Sequence, residues 1–321
     1  MADTPGRITL WGVEVFVAVA EEGSVSAAAR RLGASASSVS QQITNLETAL
    51  GSQLMHRSAR PLTLTPAGEM FRPRAQTILN EAALARAELA ADDLAALTRF
   101  RMGVIEDFEA DVTPRLLSRL AVSLEGCQFL LETGASHVLH DQLEARALDA
   151  IVAAEMGPPA DGMEVHPILT EGFVGAAPRG RIDLNRDLLA QLSPLPLVQY
   201  SARHFMGRLI AAELAKQRLT MAHRYELDSY HAILALVADG AGWTILTPLA
   251  LMRARRFLPD LDVFPLPFDP PERTIALTAR QGALRQLPGQ VAGTLKDILS
   301  DTVVSPAQAE FPWMSRVLRV L

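Results

Sequence analysis

The stretch "SAAARRLGASASSVSQQITNLE", residues 26–47, decides how the chain is read. Five serines and two adjacent glutamines surround a thin apolar thread, so the segment is either a helix pair built to touch something or an alanine-rich surface. Periodicity favours helices. Gly33 and Ala34 supply a tight turn between two of them, with Ser26 expected to cap a short helix over 27–32 and Ser35 to cap the next. From Ala36 onward, Val39, Ile43, Leu46 and Leu50 fall within about 60° of one another at roughly 100° per residue, so they face a core. Upstream, Val13, Phe16, Val17 and Ala20 follow the i, i+3, i+4, i+7 pattern of an amphipathic helix over 9–22, and Gly23 ends it.

The far side of the third helix carries Ser37, Gln41, Thr44 and Thr48, with Ser40 and Asn45 at its edges, a polar face without charge. A solvated helix face usually carries Glu, Lys and Arg, whereas short hydroxyls and amides suit base edges in a major groove. Base recognition is the favoured reading, and plain surface the alternative. Ser35, Ser37, Ser38, Ser40, Gln41 and Thr44 are the candidate DNA-binding residues of this segment. Two extended pieces, 53–56 and 62–65, flank a turn containing Arg57 and Arg60 and read as a small β-hairpin wing. The two arginines either meet DNA phosphates, positioning without reading sequence, or stand solvated. Residues 1–66 balance five arginines against five acids, and the whole chain carries −6, so DNA contact must come from placement and not from bulk attraction.

The 321 residues suffice for two domains at roughly 100–200 residues each. One cysteine, Cys127, allows no intrachain disulfide and suits a reducing, cytoplasmic setting. No basic segment precedes an apolar run at the start, and no stretch of about 18 uncharged apolar residues occurs, so neither export nor a membrane span is expected. A glycine-rich phosphate loop, a nucleophile elbow and a metal motif are all missing, which argues against catalysis and a bound cofactor. His137 and His140 lie three apart on one helix face with no third ligand evident, and no metal is expected.

Thr65 followed by Pro66 starts a long helix, expected to run to about Leu97. Along it Phe71, Ala75, Ile78, Ala82, Ala85 and Leu89 alternate in steps of four and three, a coiled-coil seam. A helix of about 30 residues spans roughly 45 Å and outruns a small domain, which points to a partner chain, with packing on its own chain as the alternative. From Phe100 short apolar runs alternate with helical segments, the texture of parallel α/β structure: strands near 100–105, 127–133, 148–154, 196–200, 223–227, 242–247 and 273–279, with the crossover between lobes held in 154–196. The tail "FPWMSRVLRVL" is amphipathic and docks either on a partner subunit or on its own domain.

The order of these parts resembles the LysR-type transcriptional regulators over nearly the whole length. The residues that carry the likeness are "FVAVAEEGSVSAAARRL", "SVSQQITNLETALGSQLMHR", "LTLTPAGE", "RMGV", "ALDAIVA" and "VADGAGWTILTPLAL". The resemblance implies an α/β chain with a helix-rich N-terminal winged helix-turn-helix over 1–66 and a linker and dimerisation helix over 67–99. It implies a C-terminal two-lobed, periplasmic-binding-protein-like (Rossmann-like) effector domain over 100–303, lobe 1 at about 100–160 and 268–303 and lobe 2 at about 161–267, with a tail over 304–321. It further implies binding to a double-stranded DNA operator as a homodimer or homotetramer, contact with RNA polymerase, and a small-molecule effector between the lobes, without metal or catalysis. The competing class is a cytoplasmic α/β ligand-binding protein or enzyme whose N-terminal helices only oligomerise.

The chain departs from the family pattern at the recognition helix. Where Ser-Gln-Pro is common it has Ser35, Ala36, Ser37, and where arginine commonly follows Val-Ser it has Gln41. That exchanges a guanine reader for a side chain suited to adenine. By resemblance the effector pocket takes Glu106, Asp107 and Phe108; Thr133, Ala135 and Ser136; Tyr200, Ser201, Arg203, His204 and Phe205; and Asp228, Ser229 and Tyr230. Ser136 is a possible cap for the helix it begins. The acids of "EDFEAD" either pair with an amine-bearing effector or favour the start of the helix near Thr113, while Arg203 and His204 could meet a carboxylate, so a zwitterion is conceivable.

Overall fold

The structure is a computed structural model that describes residues 7–56, 61–89, 97–219, 221–269 and 271–321. It divides into two compact units, residues 1–98 and 99–321.

In the first unit, α1 (Leu10–Glu22), α2 (Val25–Arg31) and α3 (Ala36–Leu50) precede a hairpin of β1 (Met55–His56) and β2 (Thr63–Leu64) and a long α4 (Pro66–Leu89). Each start has a local cause. Thr9 Oγ1 accepts from Gly12 N at 3.0 Å and Ser35 Oγ from Ser38 N at 3.1 Å, each satisfying an amide that the first helical turn leaves unpaired. The cap of α2 is Ser24, not the expected Ser26: its hydroxyl accepts from Ala27 N at 3.4 Å, and Ser26 lies inside the first turn. Gly23 and Gly51 end α1 and α3 in the left-handed conformation.

Val13, Phe16, Val39, Ile43, Leu46, Leu54 and Met55 close one apolar core, which buries the predicted inner face of α3. Buried among them, Glu47 Oε1 accepts from Leu54 N at 2.8 Å and Met55 N at 3.3 Å, tying α3 to the hairpin. Thr65 Oγ1 accepts from Gly68 N at 3.1 Å to start α4. At Gly68 a side chain would strike the Leu54 carbonyl, so hairpin and helix approach at glycine distance.

In the second unit a six-stranded sheet has the order β13-β6-β12-β5-β3-β4. Its strands are β3 (Arg99–Val104), β4 (Gln128–Thr133), β5 (Ala150–Ala154), β6 (Met163–Gly172), β12 (Glu272–Arg280) and β13 (Leu318–Val320). β4, β3 and β5 are parallel, joined through α5 (Thr113–Ser123) and α6 (Ser136–Glu144), while β12 runs antiparallel to both β5 and β6. The second lobe has β7 (Val174–Pro178) between β10 (Thr244–Leu246) and β11 (Leu261–Pro265), and a parallel pair of β8 (Leu197–Tyr200) and β9 (His223–Leu227). Val198 N donates to Trp243 O at 2.8 Å and joins the two sheets. Helices α7 (Leu188–Leu192), α8 (Phe205–Lys216), α9 (Tyr230–Ala238) and α10 (Pro248–Arg253) complete it, and α11 (Leu287–Leu299) and α12 (Ser305–Glu310) return to the first lobe.

One expectation changes here, and one open alternative is decided. The segment 154–196 was read as crossover alone, but it holds two strands, and β6 belongs to the first sheet. The chain therefore enters the second lobe after Gly172 and not near residue 161. The tail docks on its own domain, one of the two placements open to it: Leu318 pairs with Glu171 and Val320 with Leu169, so β13 covers an edge of the chain's own sheet. Among the described residues no helix is long and apolar enough to cross a membrane.

Candidate nucleic-acid interface and ligand cleft

On α3 the side chains of Ser37, Ser38, Ser40 and Gln41 are exposed and Thr44 is half-buried. Ser35 is committed to its cap, and its hydroxyl lies 3.0 Å from that of Ser37. Thr44 Oγ1 donates to Ser40 O at 3.0 Å and Thr48 Oγ1 to Thr44 O at 2.8 Å, which turns both hydroxyls back onto their own helix. Gln41 Nε2 donates to Asn45 Oδ1 at 2.9 Å. This pairing restrains two exposed amides one turn apart and leaves Gln41 Oε1 and Asn45 Nδ2 outward; Asn45 had been placed only at the edge of the face. Arg57 and Arg60 lie outside the described residues.

On α4, Phe71 and Ala75 pack inward. The Phe71 ring sits 5.3 Å from that of Phe16, and Ala75 is fully buried in the same core, so the first two positions of the expected seam serve their own chain. Ile78 and Ala85 are exposed and Ala82 half-buried, while only the helix backbone is described at Leu89.

In the second unit a cavity of about 80 Å³ opens where the turn after β3, the β4–α6 junction, the β8–α8 and β9–α9 junctions, the start of α10 and the first residues of β12 meet. Of the expected pocket residues it gathers Glu106, Asp107, Ala135, Ser136, Tyr200, His204, Phe205, Asp228 and Tyr230. Phe108 is buried in the core, Ser201 is 3% exposed with its hydroxyl on Arg203, and Thr133, Arg203 and Ser229 do not line it. Ser136 does not cap α6: Ala135 holds the cap position, and Ser136 Oγ accepts from Ala154 N at 3.2 Å.

Of the cavity's charge centre only Asp107 was foreseen; Arg273 and Glu171 were not. Arg273, buried at the start of β12, places Nη2 2.7 Å from Asp107 Oδ2 and 2.6 Å from Glu171 Oε1. Glu171, fully buried, accepts from Leu249 N at 3.0 Å with its other oxygen. Burial pushes the Glu171 carboxyl up, and Arg273 opposes it. Burial would lower the Arg273 guanidinium, but Glu171 and Asp107 hold it above its ordinary value. Burial first, and Asp107 next, push both Tyr200 and Tyr230 upward, so both phenols stay protonated. The signal in the sequence was one charge beside each of two apolar runs, Glu171 in "ILTEGF" and Arg273 in "RTIALTA".

Two larger hollows lie away from these charges. One of about 710 Å³ is lined by Ser24, Ser40, Met55 and Pro61 in the first unit, and one of about 470 Å³ by His137, His140 and Glu155. His140 Nε2 is 3.1 Å from Ala154 O, and no metal-binding group of His, Cys, Asp or Glu occurs among the described residues.

Residues 95–296 match the LysR substrate binding domain, and residues 10–69 match the bacterial regulatory helix-turn-helix protein, lysR family. The chain belongs to the LysR family. It is a LysR-type transcriptional regulator with an effector-binding domain, and the helix-turn-helix match sets aside the reading of its first helices as a mere oligomerisation module. A Mycobacterium avium protein named "Probable hydrogen peroxide-inducible genes activator" is 31% identical over 306 residues, 94% of this chain and 97% of that one. The nitrogen assimilation regulatory protein of Klebsiella aerogenes is 27% identical over 302 residues, 92% of this chain and 95% of that one. A solved mutant of Corynebacterium glutamicum OxyR is 25% identical with a TM-score of 0.63, covering 96% of this chain and 97% of that one.

Proposed function

We propose that this LysR regulator binds an operator through the uncharged outer face of α3, as a homodimer or homotetramer. A small molecule in the interlobe cavity changes that binding and the recruitment of RNA polymerase. One observation carries the reading: the cavity joins the turn after β3, the β8–α8 and β9–α9 junctions and Arg273, so any occupant touches both lobes at once. A ligand with different contacts in two lobe arrangements biases the equilibrium between them. Dimerisation through α4 uses the seam from Ile78 onward, since Phe71 and Ala75 are spent on the chain's own core.

Relatives at similar identity carry names tied to peroxide and to nitrogen, so the signal must be argued from this chain's own chemistry. Thiol oxidation is the weaker reading. Cys127 is the chain's single cysteine and does not line the cavity, and burial pushes its thiol up, away from the reactive thiolate. The test is a gel shift on DNA upstream of the chain's own reading frame, run with a small-molecule panel and with peroxide. Some panel members should move the wild-type affinity and act much less on Tyr230→Phe, with Cys127→Ser unaltered. A response to peroxide alone, abolished by Cys127→Ser, would contradict the proposal.

A further inference from the structure

The chemistry of the cavity wall narrows its occupant, given the reading of this cavity as the sensory site. Four carboxylates, Glu106, Asp107, Glu171 and Asp228, stand in or directly behind the wall. The basic side chains near them are already engaged. Arg273 is shared by Asp107 and Glu171, and Asp228 holds Arg203 at 2.8 Å and His204 at 3.3 Å. Arg253 pairs with Glu109 at 2.8 Å and does not line the cavity. A carboxylate effector would have to displace Asp107 from a buried guanidinium and then sit beside the acid it displaced, a like-charge contact in a low-dielectric pocket.

An ammonium group meets the opposite situation. The Glu106 side chain is exposed at the cavity and makes no hydrogen bond or ion pair among the described residues. Asp107 spends Oδ2 on Arg273 and leaves Oδ1 without a partner there. Tyr230 is an independent sign that the cavity suits a polar group. Only 7% of it is exposed, it lines the cavity, and its hydroxyl has no hydrogen bond among the described residues. A primary ammonium donates three hydrogen bonds, and two carboxylate oxygens with a phenol oxygen supply three acceptors. The rings of Tyr200 and Tyr230 add faces attractive to a cation. Size sets the other limit: at 10–15 Å³ for each water-sized group, a cavity of about 80 Å³ holds roughly five to eight such groups.

We infer that the effector is a short organic ammonium compound without a carboxylate, a small alkylamine or amino alcohol, whose nitrogen is held by Glu106 and Asp107 beside Tyr230. This replaces the zwitterion considered from sequence, since Arg203 and His204 are both taken by Asp228.

The experiment is isothermal titration of the full-length protein with propylammonium, ethanolammonium, propionate and glycine, repeated on Glu106→Gln. Glu106 is exposed and unpartnered, so that substitution leaves folding intact. The expected result is saturable binding of the two amines, at least tenfold weaker binding of propionate and glycine, and at least a tenfold loss of amine affinity in Glu106→Gln. Propionate binding as tightly as propylammonium overturns the inference, as does an absence of amine binding, or amine affinity in the variant within twofold of wild type. Gel shifts in the same solutions separate the two levels. Amine binding that leaves the DNA complex unaltered sinks the sensory reading and keeps the amine site, whereas a carboxylate that binds and shifts the DNA complex keeps the sensory reading and sinks the amine.

Discussion

On α3 the groups facing outward are Ser37, Ser38, Ser40 and Gln41, uncharged and exposed; in the cleft the working groups are Asp107, Arg273 and Glu171, charged and withdrawn from water. A surface that must read base edges needs donors and acceptors it can exchange for water at little cost, and neutral hydroxyls and amides provide that. A cleft that must respond to a small molecule needs interactions that are strong and few, and burial makes each charge count. The same difference fixes what mutation does. On the proposed reading, changes on the outer face of α3 alter recognition and leave the fold, whereas changes in the ion cluster reach the fold as well.

The largest expected effect comes from Arg273→Ala, which strands the buried Glu171 and the half-buried Asp107; unpairing a buried ion costs about 3–5 kcal/mol. Denaturant unfolding of the full chain should show that loss in the effector domain, and a loss below about 1 kcal/mol would mean the cluster is wetter than its geometry says. A smaller effect separates the two serines at the start of α2. Ser24→Ala should cost about 1 kcal/mol, the usual worth of a cap, while Ser26→Ala should fall within about 0.5 kcal/mol of wild type. Equal losses would break the cap assignment.

The smallest effect is a slope in pH. Burial raises the Glu171 carboxyl in the folded state above its unfolded value, so the folded chain binds that proton more tightly. The stabilisation is fully present below the ordinary carboxylate range and is lost as pH rises through the raised value. Glu171→Gln should flatten the slope over that window in thermal melts, and an unchanged slope would assign it to another group.

The two regions were not equally legible in the sequence. The inner face of α3 could be read because Val39, Ile43 and Leu46 announce it within a few turns, and a cap or a turn acts over the same short range. The cleft depends on contacts that no local pattern encodes: Asp107 and Arg273 are 166 positions apart. The family likeness recovered the loops of the pocket but not the strand residues that complete it, because a strand shows its face and not its neighbour. For the same reason β6, β7, β11 and β13 escaped notice, and with them the place where the chain crosses between lobes. Glu47 was counted only as charge, since the amides of Leu54 and Met55 that donate to it meet it through a turn.

The central claim is that α3 reads bases without charge, through Gln41 and its amide partner Asn45. It is tested most directly by fluorescence anisotropy of wild type and Gln41→Ala on the chain's own upstream operator and on duplexes with single base pairs swapped in each half-site. The account predicts that Gln41→Ala loses about 1–3 kcal/mol on the preferred operator and little or nothing where one adenine pair has been replaced. An equal loss on every duplex would contradict it, reducing Gln41 to a contact that holds the backbone and reads nothing.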